Sequence, residues 1–278
     1  MGKYLGEIAH KFDPDYYRKQ EGKVVWFLNR YLSSIKNNGL ENIPKDSVIV
    51  YMSNHRSHLD YLLLSLILLQ KGFKAPAIGA GSNLFIGPFN NILRKTKAFC
   101  IKRSPAEFSS KEEIVKYTRT LYDYVKDLLK SGEHVLLFPE GGRSYDGNMK
   151  HIRGAQLGLV GSIIEVQQEG FDVNIVPVAL TYGRIVEDFV FPKLQKTKKM
   201  RNKFLAKILY YGSDISAFSW GMFRSKTDVY VNFGKAISID DYLTENPKSN
   251  LKVIRKKLAE KIITRISDLV VDNNTTSL

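Results

Sequence analysis

Apolar positions in this chain fall into two alternating patterns. Short continuous runs predict buried strands, and longer runs repeating every three or four residues predict helices. Runs of the first kind lie at Val48 to Met52, Ala77 to Gly81, Phe99 to Ile101, Val135 to Phe138, Asn174 to Tyr182 and Val229 to Phe233. Helical spacing is found at Tyr61 to Leu69, Ser110 to Ser131, Ala155 to Gln168 and about Asn250 to Val270. Gly132 suits the stop of the second of these helices. Residues 1–36 read as helical with an early break at Pro14, and Val24, Val25, Trp26, Phe27, Leu28, Tyr31, Leu32 and Ile35 form a broad apolar stripe there. Alternating strands and helices imply an α/β fold, a mostly parallel open sheet flanked by helices, with an N-terminal helical segment. The chain divides into that segment (1–36), an α/β domain (37–271) and a polar tail (272–278) expected to be disordered.

A length of 278 residues with 44% hydrophobic content suits one large domain with a substantial core. The single cysteine, Cys100, excludes an internal disulfide and lies in an apolar run, so it reads as a small buried hydrophobe. The start shows no signal peptide, and Gly6 stands where a myristoylation signal needs Ser or Thr. The longest uncharged apolar stretch, Tyr61 to Gln70, is far short of the roughly 20 residues a spanning helix needs.

The most informative chemistry follows the first strand. In Ser53-Asn54-His55-Arg56-Ser57-His58-Leu59-Asp60, a histidine sits where the strand ends and a carboxylate follows five residues later, near the start of a helix. A loop can fold so that Asp60 accepts a hydrogen bond from one imidazole nitrogen of His55. The other nitrogen is then left to take a proton from a substrate hydroxyl. A second strand ends in Phe138-Pro139-Glu140-Gly141-Gly142-Arg143-Ser144, where paired glycines admit close backbone approach and an arginine fork suits a phosphate or carboxylate. Ligands of such sheets gather beyond the carboxyl ends of the strands, where both His55 and Glu140 fall.

Four blocks resemble the glycerolipid acyltransferase superfamily in content and order: the His-x4-Asp motif at His55 to Asp60, Ala98-Phe99-Cys100-Ile101-Lys102-Arg103, the Phe138 to Ser144 block, and the proline-bearing strand Ile175 to Tyr182. The resemblance implies acyl transfer from a thioester to a hydroxyl, with His55 as base and Asp60 as its orienting group. It also implies a phosphate held by Arg103 and Arg143 with Lys102 nearby. Glu140 and Ser144 match the third block, Glu140 as a partner of the acceptor or an organiser of the loop. Oxyanion donors are expected at Gly141 and Gly142 or at the start of the helix after Asp60. No cofactor or metal is implied; the acyl thioester is a co-substrate.

The acceptor is read as glycerol-3-phosphate, with lysophosphatidate as the alternative, because two branches are resembled. His-Arg-Ser-His-Leu-Asp-Tyr at 55–61, Glu-Gly-Gly-Arg-Ser at 140–144 and the Tyr182 to Glu187 stretch are similar to glycerol-3-phosphate acyltransferases. Phe138-Pro139-Glu140 and the short length resemble lysophosphatidate acyltransferases instead. Lys97, Tyr145 and Gly183 depart from the usual pattern, which puts phosphate binding near Tyr145 in doubt. Donors that fit are acyl-coenzyme A and acyl carrier protein.

A net charge of +14 asks for an anionic partner. No zinc-finger spacing or RNA-recognition motif appears, so nucleic acid is not expected. From Phe189 to Ser213 there is no acidic residue, and Lys193, Lys196, Lys198, Lys199, Arg201, Lys203 and Lys207 lie beside aromatic and aliphatic residues. That mixture suits an anionic membrane surface. The expectation is a peripheral protein on the cytoplasmic face of a membrane. Two rivals are weaker. His55-x2-His58-x-Asp60 misses metallo-hydrolase spacing by one residue, with Tyr61 in place of a further histidine. A non-enzymatic basic scaffold would not need the full set of motif side chains. His134 and His151 show no partner in the sequence and read as surface residues.

Overall fold

The computed structural model describes residues 3–85, 88–102, 105–144, 147, 149, 151, 152, 154–185, 187–198, 212, 213, 216, 224–247 and 250–270. Its strands are β1 (Leu32–Asn38), β2 (Val48–Ser53), β3 (Ala77–Gly81), β4 (Ala98–Ile101), β5 (Val135–Leu137), β6 (Val173–Tyr182), β7 (Thr227–Phe233) and β8 (Ile237–Ser238). Its helices are α1 (Lys3–Ile8), α2 (Pro14–Tyr31), α3 (Asp60–Gln70), α4 (Pro88–Lys95), α5 (Lys111–Lys130), α6 (Gly154–Gln168), α7 (Phe191–Lys198), α8 (Ile239–Thr244) and α9 (Leu251–Asp268).

The strands form one sheet in the order β1-β7-β6-β2-β5-β3-β4, with β8 also on β6. The five strands from β6 to β4 run parallel, while β7 and β8 are antiparallel to β6. Helices cover both faces. Val50 and Met52 of β2 point into a core with α5, α6 and α9, whereas Ile49 and Tyr51 point into another with α2 and α3. Strands buried on both faces carry continuous apolar runs rather than alternation. This is why β2 and β6 were legible as unbroken runs, and all ten residues of β6 are buried.

Pro177 inside β6 needs a special place, because it has no N–H for a ladder. On that side β7 pairs with Val178 to Tyr182 and β8 with Asn174 and Ile175. Pro177 faces the turn between them, and its carbonyl accepts from Gly234 N–H at 2.8 Å.

The N-terminal expectation needs correction at its far end. The early break expected at Pro14 is present, since α1 ends at Ile8 and Pro14 opens α2, with Asp13 accepting Tyr16 N–H at 2.9 Å. Helix α2 ends at Tyr31, and residues 32–38 are the edge strand β1, parallel to β7, instead of more helix. Leu32 and Ile35 fit a helical stripe, but the alternate positions 34, 36 and 38 pair across to β7. Ser34 Oγ donates to Asp228, Lys36 reaches the Tyr230 hydroxyl and Asn38 bonds Asn232. A polar two-residue period had overridden the apolar one. The 1–36 segment therefore does not stand apart from the domain: its last residues are part of the sheet.

Candidate active site

Because β6, β2 and β5 are parallel neighbours, their carboxyl ends open side by side, and the candidate chemistry collects there. Asn54, just past β2, anchors the following loop through side-chain bonds to the backbone of Leu180 in β6. Both peptide groups of His55 are then tied to the loop after β5. Its N–H donates to Glu140 Oε2 at 3.2 Å, and its carbonyl accepts from Ser144 N–H at 2.8 Å. The imidazole stacks on the Phe138 ring, centroids 4.2 Å apart and planes 26° apart.

His55 Nδ1 lies 2.9 Å from Asp60 Oδ2. The same oxygen accepts the N–H groups of Arg56 (2.7 Å) and Ser57 (3.0 Å), and Oδ1 accepts the Tyr182 hydroxyl at 2.7 Å. Asp60 is wholly buried and opens α3, where the positive end of the helix dipole favours a carboxylate. An acceptor on this side assigns the proton to Nδ1 and makes Nε2 the lone-pair nitrogen. Nε2 makes no hydrogen bond among the described residues. Burial pushes the imidazole down to about 4, with the Asp60 hydrogen bond and charge opposing, so His55 is neutral at pH 7.

A second buried carboxylate braces the other side of the turn. Glu187 accepts Ser57 Oγ at 2.7 Å and His58 N–H at 2.8 Å, and lies 3.7 Å from Arg143 Nη1. Burial raises its carboxyl above the ordinary value, and the positive charge around His58 and Arg143 works against that rise. Glu187 and the role of Tyr182 were not foreseen from the sequence. The signal available was their position at the end of the fourth block and just after it, in the stretch 182–187.

The other expected residues are placed as follows. Gly141 turns with φ +69° and donates to Phe138 O at 3.0 Å, in the left-handed region that glycine tolerates best. Arg143 is buried, its guanidinium 6.0 Å from the Phe191 ring centre. Ser144 Oγ accepts from Gly147 N–H at 3.1 Å. A Cβ at Gly147 would overlap the guanidinium of Arg56, so glycine there lets Arg56 lie against this loop. Lys102 is not brought to the cluster. It follows β4, three strands from β2 or about 14 Å by strand spacing, and its Nζ pairs with Glu7 at 2.7 Å. Arg103, residues 199–211 of the basic stretch, and the tail 272–278 lie outside the described residues.

The amide groups of residues 56–59 are all engaged: Arg56 and Ser57 by Asp60, His58 by Glu187 and Leu59 by Ser57 Oγ. These four amides, which precede α3, are therefore not free for an oxyanion, whereas Gly142 N–H has no partner among the described residues. His134 is half-buried rather than a surface group, and its Nδ1 accepts Ile49 N–H at 3.1 Å. Among the described residues no group of three or more His, Cys, Asp or Glu is placed to hold a metal ion, and no helix is long and apolar enough to cross a membrane.

A family model described as Acyltransferase matches residues 34–181, more than half of the chain. Glycerol-3-phosphate acyltransferases of Shewanella sp. (strain ANA-3), Shewanella oneidensis and Shewanella amazonensis are each 30% identical to it, over 98% of this chain and 34% of their own lengths. The chain thus spans about a third of the length of these curated relatives. The crystal structure of the 1-acyl-sn-glycerophosphate (LPA) acyltransferase PlsC from Thermotoga maritima aligns with a TM-score of 0.49 and 19% identity, covering 93% of this chain and 83% of that one.

Proposed function

The chain belongs to the acyltransferase family, and on that premise we propose that it moves a fatty acyl group from a thioester to the hydroxyl of glycerol-3-phosphate. The observation that carries this reading is the His55–Asp60 pair, 2.9 Å apart and buried, with Nε2 left as the proton acceptor. The acceptor identity is supported by the names of the relatives at 30% identity.

Neutral His55 takes the hydroxyl proton at Nε2 as the hydroxyl oxygen attacks the thioester carbonyl carbon. Asp60 stabilises the imidazolium that forms and fixes its orientation. The tetrahedral intermediate collapses, the carbon–sulfur bond breaks, and the departing thiolate takes the proton from His55. Ester and free thiol are the products, with no covalent enzyme intermediate. Gly142 N–H is the backbone donor best suited to the oxyanion.

The acceptor phosphate is assigned to Arg143 together with Arg103. A guanidinium carries five N–H donors, so a carboxylate on one side of Arg143 and a phosphate on the other are compatible. An anion bound here would also raise the low proton affinity of His55 toward the range where a base works best at neutral pH. Glu140 and Ser144 tie the two loops together through the His55 backbone. The donor is an acyl-coenzyme A or acyl carrier protein thioester.

Docking to an anionic membrane surface completes the reading. It is supported by the +14 charge and by exposed aromatic rings beside cations, Trp26 with Arg30 and Phe189 with Arg224, each 5.0 Å from ring centre. Charge reversal at Lys196, Lys203 and Lys207 should weaken binding to anionic liposomes, as should added salt.

The experiment is free-thiol release from palmitoyl-coenzyme A or palmitoyl acyl carrier protein, with glycerol-3-phosphate and lysophosphatidate offered separately. Release that depends on glycerol-3-phosphate supports the proposal. Dependence on lysophosphatidate alone moves the protein to the other branch, and release with neither overturns both.

A further inference from the structure

We propose that Tyr182 is a positioning residue for the base, holding one oxygen of Asp60 so that the other is kept for His55. This deepens the acyl-transfer reading and rests on it. Tyr182 and Asp60 are 122 residues apart in sequence, at the end of β6 and the start of α3, yet the hydroxyl is 2.7 Å from Oδ1. Oδ2 meanwhile serves His55 Nδ1 and the two amides of the turn. A carboxylate held through one oxygen alone can rotate about Cβ–Cγ and change both the distance and the plane it presents to the imidazole. A donor fixed to the second oxygen removes that freedom.

The donor itself comes from a rigid element. Residues 178–182 of β6 pair with Val229 to Phe233 of β7, so the ring leaves the end of a ladder rather than a loop. Burial, and then the negative charges of Asp60 and Glu187, hold the phenol well above its ordinary range, so it stays protonated and can only be a donor toward Asp60.

Among the described residues, the charged and titratable groups around this pair are few. They are His55 and His58 from the loop after β2, Arg143 from the loop after β5, Glu187 after β6, and Tyr31 at the end of α2. Arg143 is paired to Glu187, and of these groups Asp60 is the one the Tyr182 hydroxyl bonds at 2.7 Å, with the Ser57 side chain also beside the phenol. Without the phenol, Asp60 becomes a stronger acceptor for the His55 Nδ1 proton. The imidazolium is then favoured, and the group that must be neutral stays protonated to higher pH.

Tyr182→Phe removes a single oxygen from a buried site and keeps the ring. We expect kcat to fall about 10- to 30-fold with KM for both substrates within about twofold, in line with a loss of base alignment. The acid limb of the pH–rate profile should move up by about half a unit. Replacing Tyr182 by 3-fluorotyrosine keeps the hydroxyl, strengthens it as a donor and should move that limb down. An activity-independent readout is the downfield proton resonance of His55 Nδ1, identified by its loss in His55→Ala, which should shift in Tyr182→Phe. Unchanged kcat and acid limb, or a resonance that does not move, overturns the proposal; so does a defect confined to melting temperature. If wild-type protein transfers no acyl group, the acyl-transfer reading fails, and the resonance alone decides whether Tyr182 positions the pair.

Discussion

Asn54 pairs with the backbone of Leu180 through both ends of its amide. Nδ2 donates to Leu180 O at 2.9 Å, and Oδ1 accepts from Leu180 N–H at 2.8 Å. The ladder between β2 and β6 reaches Ser53 and Val178, so the side chain of Asn54 stands in for the next rung after the main chain has left the sheet. This substitution lets the chain turn away toward His55 without stranding two buried polar groups on β6.

Asn54→Ala should therefore cost about 2–4 kcal/mol, because it leaves a donor and an acceptor without partners in a buried place. Asn54→Asp keeps the acceptor but loses the donor and adds a charge, and should not rescue. Urea denaturation of the two variants checks this. A change below about 0.5 kcal/mol for Ala would contradict the rung's importance.

Glu187 closes the turn from the other side, with Arg143 as its countercharge. Removing one member of a buried ion pair commonly costs about 3–5 kcal/mol. Glu187→Ala should approach that range, while Glu187→Gln, which keeps one of the two acceptor oxygens and the side-chain volume, should cost less. Both should raise KM for the phosphate-bearing acceptor more than they lower kcat, since they disturb Arg143. Melting curves and acceptor titrations separate the two effects.

Acid should weaken the fold before carboxylates titrate. Burial lowers His55 and His134 to about 4, well below the ordinary histidine value near 6.5. Between those values the unfolded chain binds more protons than the native one, so stability is full above pH 6.5 and is lost as pH falls toward 4. For His55 alone the loss is about 2 kcal/mol at pH 5. The urea midpoint should drop from pH 7 to pH 5, and His55→Gln should show a shallower drop. Equal slopes in the two proteins would contradict a His55 held neutral by burial.

The sheet was legible from sequence because its central strands are apolar without interruption. The run Val48 to Met52 became β2 with one residue added, and Ala77 to Gly81 became β3 unchanged. The edge strand β1 was hidden because Leu32 and Ile35 continue the spacing of α2, and the pairing that decides it lies on polar residues nearly 200 positions away. The site divides in the same way. His55 and Asp60 are five residues apart, so a local motif suffices to link them. Tyr182 and Glu187 reach the same turn only through the β6–β2 neighbourhood, which no local pattern encodes. Lys102 shared a block with Arg103, but its partner Glu7 sits on α1, and only the folded chain brings them together.

The central claim is that His55 removes the acceptor proton. Its most direct test is the steady-state rate of acceptor-dependent thiol release by His55→Ala beside the wild type, with both substrates saturating and circular dichroism confirming the fold. A fall of about 100- to 10,000-fold, with acceptor binding retained, is the result expected of a lost general base. A rate within about threefold of wild type would show that the proton leaves by another route.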